Sequence, residues 1–349
     1  MLTFVASVFV FGILIFFHEL GHFTVAKWVG IKVHEFSLGF GPKLLTIPRE
    51  ETSYNLRIFP LGGFVRMAGM DPNEKDEEDD GRGFNTKTVG QRIAVIFAGP
   101  LMNFLLAVLL LSTIFVFQGI PVATTVISEV IPDFPAAKSG IQAGDRIVAI
   151  DGQPVNSWEE LSGIISRKPE QEVEVTVLRD GVEKQFRLFT VRDENNTGKI
   201  GIYPEQGLSK GNVFQALALG VDYTARITWM LLDFIAKMIT GQTPADVGGP
   251  VRVVNEIGKA AQVGFFFLLQ LAAFLSINLG LFNLFPIPAL DGSRILFLLW
   301  EKVRGRPVDP VKENFIHLIG FGLLLLLVVV ITYNDILQVF LSERIPSQH

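Results

Sequence analysis

A zinc-binding pattern lies inside an apolar segment near the N-terminus. His18 and His22 are four residues apart, and Glu19 stands between them. Residues at positions i and i+4 share one face of a helix, so both imidazoles can reach one metal ion. A glutamate at this position is the usual general base of a zinc hydrolase. The pattern predicts metal-assisted hydrolysis, although a lone H-E-x-x-H also arises by chance in long chains.

The residues around this pattern favour a function over chance. Residues 1–17 carry no charged side chain and read as the beginning of a membrane span. Ionisable groups at membrane depth are costly, so a cluster of them needs a shared purpose such as a metal. The segment lacks the basic region and cleavage site of a signal peptide, and we expect a retained span. The chain has no cysteine, which excludes thiol ligands, thiol catalysis and disulfides.

Composition points to a membrane protein. The chain has 349 residues, 49% of them hydrophobic, and its net charge is −5. Its mean hydropathy is +0.40, and nothing in its charge indicates binding to nucleic acid. Apolar stretches that approach or exceed a bilayer-crossing length cover residues 2–29, 93–118, 265–290 and 318–331. We predict a polytopic α-helical membrane protein with about four transmembrane helices.

A fifth apolar segment, Val213–Ile239, is predicted to lie on a membrane surface. At about 100° per residue its charged side chains fall within a stripe about 60° wide. They also form i,i+4 pairs of opposite charge. The charged residues are Asp222, Arg226, Asp233 and Lys237. A one-sided charge stripe is typical of an amphipathic helix in the interface, and a lipid-embedded span would not carry one.

The loops predict the orientation. Lysines and arginines are concentrated between the first and second spans and between the third and fourth. Basic loops face the cytoplasm, so both chain ends and residues 119–264 are expected outside. The acidic run at residues 71–80 is interpreted as a solvated loop. The predicted location is the bacterial cytoplasmic (inner) membrane.

The predicted outer segment contains a small α/β module at residues 122–205. Short apolar runs indicate strands, residues 179–181 give a hairpin turn signal, and Asn156 or Ser157 can cap a helix. Residues 135–152 closely resemble the signature of a bacterial PDZ domain. Such domains bind an extended peptide by strand addition. The alternative is a spacer domain without a ligand.

A catalytic zinc site usually has three protein ligands, and Asp291 is the predicted third. It follows two prolines that break the third span, and broken backbone at membrane depth is tolerated where it lines a polar site. With the predicted topology, Asp291 and His18 both lie toward the cytoplasmic half. Four other residues are weaker candidates. His34 is interpreted as an interfacial histidine in a loop, and Glu35 as a loop residue. His317 is interpreted as an interfacial histidine, and His349 is the terminal residue.

These motifs together resemble the site-2 proteases, most closely the bacterial regulator-of-sigma-E protease type. The resemblance covers nearly the whole chain, although this chain has room for one PDZ domain where well-known members carry two. It rests on the two metal-binding motifs, the PDZ module between them and three further segments. The metal-binding motifs are His18-Glu-Leu-Gly-His22 and Asn283-x-x-Pro-x-Pro-x-Leu-Asp-Gly292. The further segments are Gly39-Phe-Gly-Pro42, Pro60-Leu-Gly-Gly-Phe-Val-Arg-Met67 and Ala98-Gly-Pro-Leu-Met-Asn-Phe104.

The resemblance implies an intramembrane zinc metalloprotease. Zn²⁺ would be held by the two histidines and Asp291, with Glu19 as the catalytic base. Asn283 would hold the substrate, unless it is an amide that caps the broken helix. Residues 33–67 would form a β-structured loop that dips toward the membrane, or an ordinary cytoplasmic hairpin. The implied substrate is a single-span membrane protein, for example an anti-sigma factor.

The resulting organisation has four parts. Residues 1–118 form an N-terminal membrane part, 122–205 the PDZ domain, 212–264 the amphipathic helix and a connector, and 265–349 the C-terminal membrane part. Two rival functions use the same features: a non-catalytic PDZ membrane adaptor, and a metal transporter. The adaptor is disfavoured by the presence of Glu19 with all three ligands, and the transporter by the absence of an internal repeat.

Overall fold

The computed structural model describes residues 1–70, 81–194, 196–243 and 248–344. The chain divides into two compact units, one made of Met1–Ile114 with Val213–His349 and the other of Phe115–Asn212. The acidic run at residues 71–80 and His349 lie outside the described residues.

The larger unit begins with a long apolar helix, a hairpin and a second long helix. These are α1 (Leu2–Trp28), β1 (Val33–Pro48), β2 (Ser53–Met67) and α2 (Val89–Gln118). The first part of β1, from residue 33 to 38, pairs on one side with the beginning of β2 and on the other with its end. The hairpin therefore folds over itself, and residues 63–67 form an outer strand next to α1. Phe40, Leu44 and Phe59 are exposed on this hairpin, an apolar surface that suits lipid better than water.

The smaller unit is a β-sheet module with its own apolar core. Its elements are β3 (Ile120–Val130), α3 (Pro135–Ser139), β4 (Arg146–Ile150), β5 (Gln153–Pro154), α4 (Trp158–Ser166), β6 (Glu172–Arg179), β7 (Val182–Phe189), β8 (Val191–Arg192), β9 (Gly198–Lys199) and β10 (Ile202–Ser209). The main sheet runs β10-β3-β4-β6-β7, with β5 paired to β4, and β8 pairs with β9.

The hairpin turn and the helix cap that the sequence of this module predicts are both present in the structure. Asp180 and Gly181 both have positive φ, at 54° and 78°, as a type I′ turn between β6 and β7 requires. The Ser157 side chain accepts a hydrogen bond from the Glu160 backbone N–H and caps α4. The core between sheet and helices contains fully buried side chains such as Ile147, Leu161 and Val175.

The larger unit continues with five helices. They are α5 (Val213–Ile239), α6 (Pro250–Val263), α7 (Phe265–Asn283), α8 (Asp291–Arg304) and α9 (Pro310–Arg344). Among the described residues, four helices are long and apolar enough to cross a membrane: α1, α2, α7 and the Val311–Leu337 part of α9. The prediction of about four spans is therefore confirmed.

Helices α5, α6 and α8 are not among these candidate spans. The i,i+4 ion pairs of α5 are formed, at 2.7 Å for Arg226–Asp222 and 2.6 Å for Lys237–Asp233, and all four side chains are exposed. Helices α6 and α8 were not anticipated as helices, because both are short and amphipathic and neither has the uniform hydropathy of a span. The third apolar stretch runs to residue 290, and its prolines predict a break in the helix before Asp291. Helix α7 ends at Asn283, and the chain turns before α8 starts at Asp291.

Candidate active site

The structure brings the three predicted ligands together. The Nε2 atoms of His18 and His22 are 3.2 Å apart. The Oδ2 atom of Asp291 lies 3.2 Å from the first and 3.4 Å from the second. All three side chains are largely buried, with 12%, 9% and 20% exposure. Helix α1 supplies the histidines from one face, and the first residue of α8 supplies the carboxylate.

The orientation of His22 is set by α2. Its Nδ1 lies 2.9 Å from the backbone carbonyl oxygen of Val95. A carbonyl only accepts, so Nδ1 must carry the imidazole proton and donate it. The Nε2 atom then presents a lone pair to the cluster. Outer hydrogen bonds of this kind fix the tautomer of metal-binding histidines.

The orientation of His18 involves a residue to which sequence reasoning gave no role. Its Nδ1 lies 3.1 Å from the side-chain amide of Asn103, which is fully buried in α2. In the sequence, the only signal for Asn103 is its place in the family-like segment at residues 98–104. The partners are 85 residues apart, so no local pattern could have paired them.

Asp291 is held by the turn that interrupts the third apolar stretch. Gly292 fits because a Cβ there would lie 2.3 Å from the carbonyl oxygens of Leu284 and Phe285. The backbone N–H of Ala289 donates to Nδ1 of His317 on α9, at 3.0 Å. Sequence reasoning placed His317 at the membrane interface without a role, whereas the structure shows that it contacts the loop that carries Asp291.

Glu19 lies beside the ligands, close to the hairpin. Its side chain is half-buried and interacts electrostatically with His18, His22 and Asp291. A Cβ on Gly63 of β2 would stand 3.0 Å from the Glu19 Cγ. The outer strand at residues 63–67 therefore begins next to this carboxylate.

The other candidate residues lie elsewhere. Asn283 is the last residue of α7, half-buried, and its amide makes no hydrogen bond to another described residue, so it does not cap that helix. His34 lies in β1 and is not part of the ligand group. Glu35 was read as a loop residue, but it is buried in β1 and accepts hydrogen bonds from Ser37 and Arg57. That ion-paired environment assigns it to the interior of the hairpin.

Comparison with known proteins places the chain in a family. Residues 6–327 match the model of peptidase family M50. The zinc metalloprotease RasP of Bacillus licheniformis is 35% identical, over 97% of this chain and all of that protein. The regulator of sigma-W protease RasP of Bacillus subtilis is 34% identical, over 97% of this chain and 99% of that protein.

Solved PDZ domains are among the structures that are similar to part of this chain. A PDZ domain of an SdrC-like protein from Listeria innocua is 30% identical, over 24% of this chain and 93% of that domain, with a TM-score of 0.22. The expected polytopic helical architecture with a small inserted β-sheet module is confirmed. The chain belongs to peptidase family M50, the site-2 proteases, and is an intramembrane zinc metalloprotease.

Proposed function

We propose that His18, His22 and Asp291 hold the zinc ion and that Glu19 is the general base. The spacing of the donors supports this. Zinc–ligand bonds of about 2.0–2.1 Å at tetrahedral angles separate neighbouring ligand atoms by about 3.3–3.4 Å. The three observed separations are 3.2, 3.2 and 3.4 Å. Three protein ligands leave the fourth position for water, as in catalytic zinc sites.

The chemistry of the donors supports the same ligand set. Oδ2 of Asp291 is buried and has no hydrogen-bond donor among the described residues. The proton of His22 is on Nδ1, so its Nε2 lone pair and the Asp291 carboxylate oxygen would face each other without a cation between them. A buried group of this kind is costly unless it is paired or binds a metal.

The reaction is hydrolysis of a peptide bond. When bound, zinc makes a water molecule acidic enough to lose a proton near neutral pH and polarises the carbonyl under attack. Glu19 accepts the proton of the attacking water at its carboxylate and later passes it to the leaving amine. His18, His22 and Asp291 keep their positions throughout, because α1, α2 and the turn before α8 hold them.

The substrate is a membrane-spanning segment of a single-span protein, for example an anti-sigma factor. A helical segment hides its carbonyls in hydrogen bonds, so it must unwind before attack. The outer strand at residues 63–67 can pair with the unwound backbone by strand addition. Because this strand begins at Gly63, beside Glu19, the paired backbone would pass the catalytic base. The unbonded amide of Asn283 is the further substrate contact.

The PDZ domain faces the outside of the cytoplasmic membrane and binds an extended peptide. A groove of about 320 Å³ lies between α4 and the residues that lead into β10. Its walls include Trp158, Leu161 and Ile165 on one side and Ile200 and Ile202 on the other. Since β10 is at the edge of the main sheet, a peptide could add there as a further strand.

One experiment tests the proposed function as a whole. The purified full-length protein is incubated in detergent or vesicles with a model single-span substrate. We expect cleavage within the membrane segment, loss of cleavage with a chelator and recovery with added zinc. Binding of the substrate without cleavage at any zinc concentration would instead indicate an adaptor. Zinc uptake into sealed vesicles without cleavage would indicate a transporter.

A further inference from the structure

We propose that Asn103 is a positioning residue of the zinc site: its amide holds the His18 imidazole in the tautomer that presents Nε2 to the metal. This role rests on the ligand set proposed above and adds a contribution from helix α2, which packs against the two histidines. It also gives a role to the family-like segment at residues 98–104, which the catalytic mechanism leaves without one.

Asn103 is fixed in place. Its side chain is fully buried. Its own backbone carbonyl accepts a hydrogen bond of 2.8 Å from the Ser276 hydroxyl on α7. Helix α7 comes so close here that a Cβ on Gly280 would lie 3.0 Å from the Pro100 carbonyl oxygen. With α7 packed against this turn of α2, the amide is held against the His18 ring.

The neutral imidazole of His18 carries one proton, on either Nδ1 or Nε2. His18 Nε2 faces His22 and Asp291, so a metal-binding His18 must carry its proton on Nδ1. That proton needs an acceptor. The Asn103 amide nitrogen Nδ2 lies 3.1 Å from Nδ1, and an amide nitrogen only donates. A side-chain amide turned by about 180° presents its oxygen in place of its nitrogen at nearly the same position. With the oxygen turned toward His18, Nδ1–H donates to Oδ1.

His22 shows the same arrangement with a different acceptor. Its Nδ1 donates to the carbonyl oxygen of Val95, two helical turns before Asn103 on α2. Helix α2 therefore supplies the outer hydrogen bond for both histidines, one from the backbone and one from a side chain. Such outer partners orient the ring and raise the basicity of the metal-binding nitrogen.

Packing alone does not explain an asparagine at this position. The amide position that faces away from His18 is buried without a hydrogen-bond partner among the described residues. Burying an unsatisfied polar atom destabilises a protein. A leucine is similar in size and would avoid that cost. The amide is therefore better explained by its hydrogen bond to His18.

The test compares two substitutions of similar shape in the full-length protein. Asn103→Leu removes the acceptor, and Asn103→Asp keeps one. Zinc affinity is measured by competition with a chelator, and the visible spectrum of the cobalt-substituted protein reports the coordination geometry. We expect Asn103→Leu to weaken zinc binding about 10–100-fold. Asn103→Asp should stay within about tenfold of the parent, with an unchanged cobalt spectrum.

A matched control is Ser112→Ala, which alters another buried polar residue of the same helix. It should bind zinc like the parent. Zinc affinity unchanged in Asn103→Leu would overturn the inference. An equal loss in Asn103→Leu and Asn103→Asp would also overturn it, since that result means a packing role.

The proposed ligand set has its own control. His18→Ala and Asp291→Ala should lose zinc whatever Asn103 does. If both keep zinc, the ligand set is wrong. If both lose zinc while Asn103→Leu keeps the parent affinity, the ligand set stands and only the role of Asn103 fails.

Discussion

Gly99 of α2 and His22 of α1 pack so closely that a Cβ on residue 99 would lie 2.2 Å from the imidazole Nε2. The contact is reciprocal, because a Cβ on Gly21 of α1 would lie 2.2 Å from the Ala98 carbonyl oxygen. Two glycines thus let the helices meet with the histidine between them. The metal site depends on this close approach as well as on its ligands.

Gly99→Ala should therefore disturb zinc binding. The new methyl group overlaps the His22 ring, so the ring or the helix must move. We expect zinc affinity to fall at least about tenfold, as when an outer partner of a metal ligand is lost. The control is Gly90→Ala in the same helix, where no described atom lies within 4 Å of the added Cβ. Equal zinc affinity in the two variants would contradict the proposed packing requirement.

Glu19→Gln should separate catalysis from metal binding. Glutamine has the same shape but cannot accept the proton of the attacking water. We expect cleavage of a model membrane substrate to fall at least about 100-fold, the usual contribution of a general base. Metal analysis of the same preparation should find zinc at the parent level. Substantial residual cleavage would remove Glu19 from its proposed role.

Asp291→Ala should lose both zinc and activity. The substitution removes the only oxygen donor of the group formed by His18, His22 and Asp291. The control is His34→Ala, because His34 lies in β1 outside that group. Zinc content and cleavage are measured for both variants. A zinc-free His34→Ala together with a zinc-loaded Asp291→Ala would show that the ligand set is wrong.

Asp145→Asn should destabilise the smaller unit. Asp145 has 1% side-chain exposure and accepts hydrogen bonds of 2.6 and 2.7 Å from Arg179. We expect a loss of about 1–3 kcal/mol in unfolding free energy, the range for charged hydrogen bonds. Urea unfolding of residues 115–212 produced alone measures it. The control, Glu174→Gln, breaks an ion pair with Arg187, whose side chain is 73% exposed, and should cost less than about 1 kcal/mol.

The same aspartate predicts a pH dependence. Burial opposes the ionisation of Asp145, but the hydrogen bonds from Arg179 and from the Gln142 N–H outweigh it, and the pKa of the carboxyl lies below its usual value. Its stabilising contribution is therefore complete above about pH 4, the pKa in the unfolded chain. The contribution is lost as the pH falls through the lower folded pKa. Asp145→Asn should remove this acid-sensitive component, and an unchanged pH profile would contradict the assignment.

The membrane topology can be tested with single cysteines, because the chain has none of its own. Cysteines at Gly207 and Gly241 should react with an impermeant reagent from outside. Cysteines near residue 76 and at Gly305 should react only from the cytoplasm. The first pair flanks α5, so a cytoplasmic signal at Gly241 would make α5 a span. That result would also place Asp291 and His18 on opposite sides of the membrane.

Local sequence determined several parts of this protein. The helical repeat alone puts His18 and His22 on one face, since neighbouring positions in a helix depend only on spacing. The prolines before Asp291 predict the break in the third apolar stretch, because proline removes a backbone donor and clashes within a helix. The hairpin turn at Asp180-Gly181 and the helix cap at Ser157 likewise depend only on residues within three positions of each other.

Only the tertiary structure decided how the ligands are supported. The contacts of His22 with Val95 and of His18 with Asn103 join residues that are 73 and 85 positions apart. The hydrogen bond from Ala289 to His317 likewise joins the turn before α8 to helix α9. The sequence of an apolar helix does not show which of its faces meets protein, because lipid and a protein interior are similarly apolar. The partners of the zinc ligands therefore emerge only when the helices are packed together.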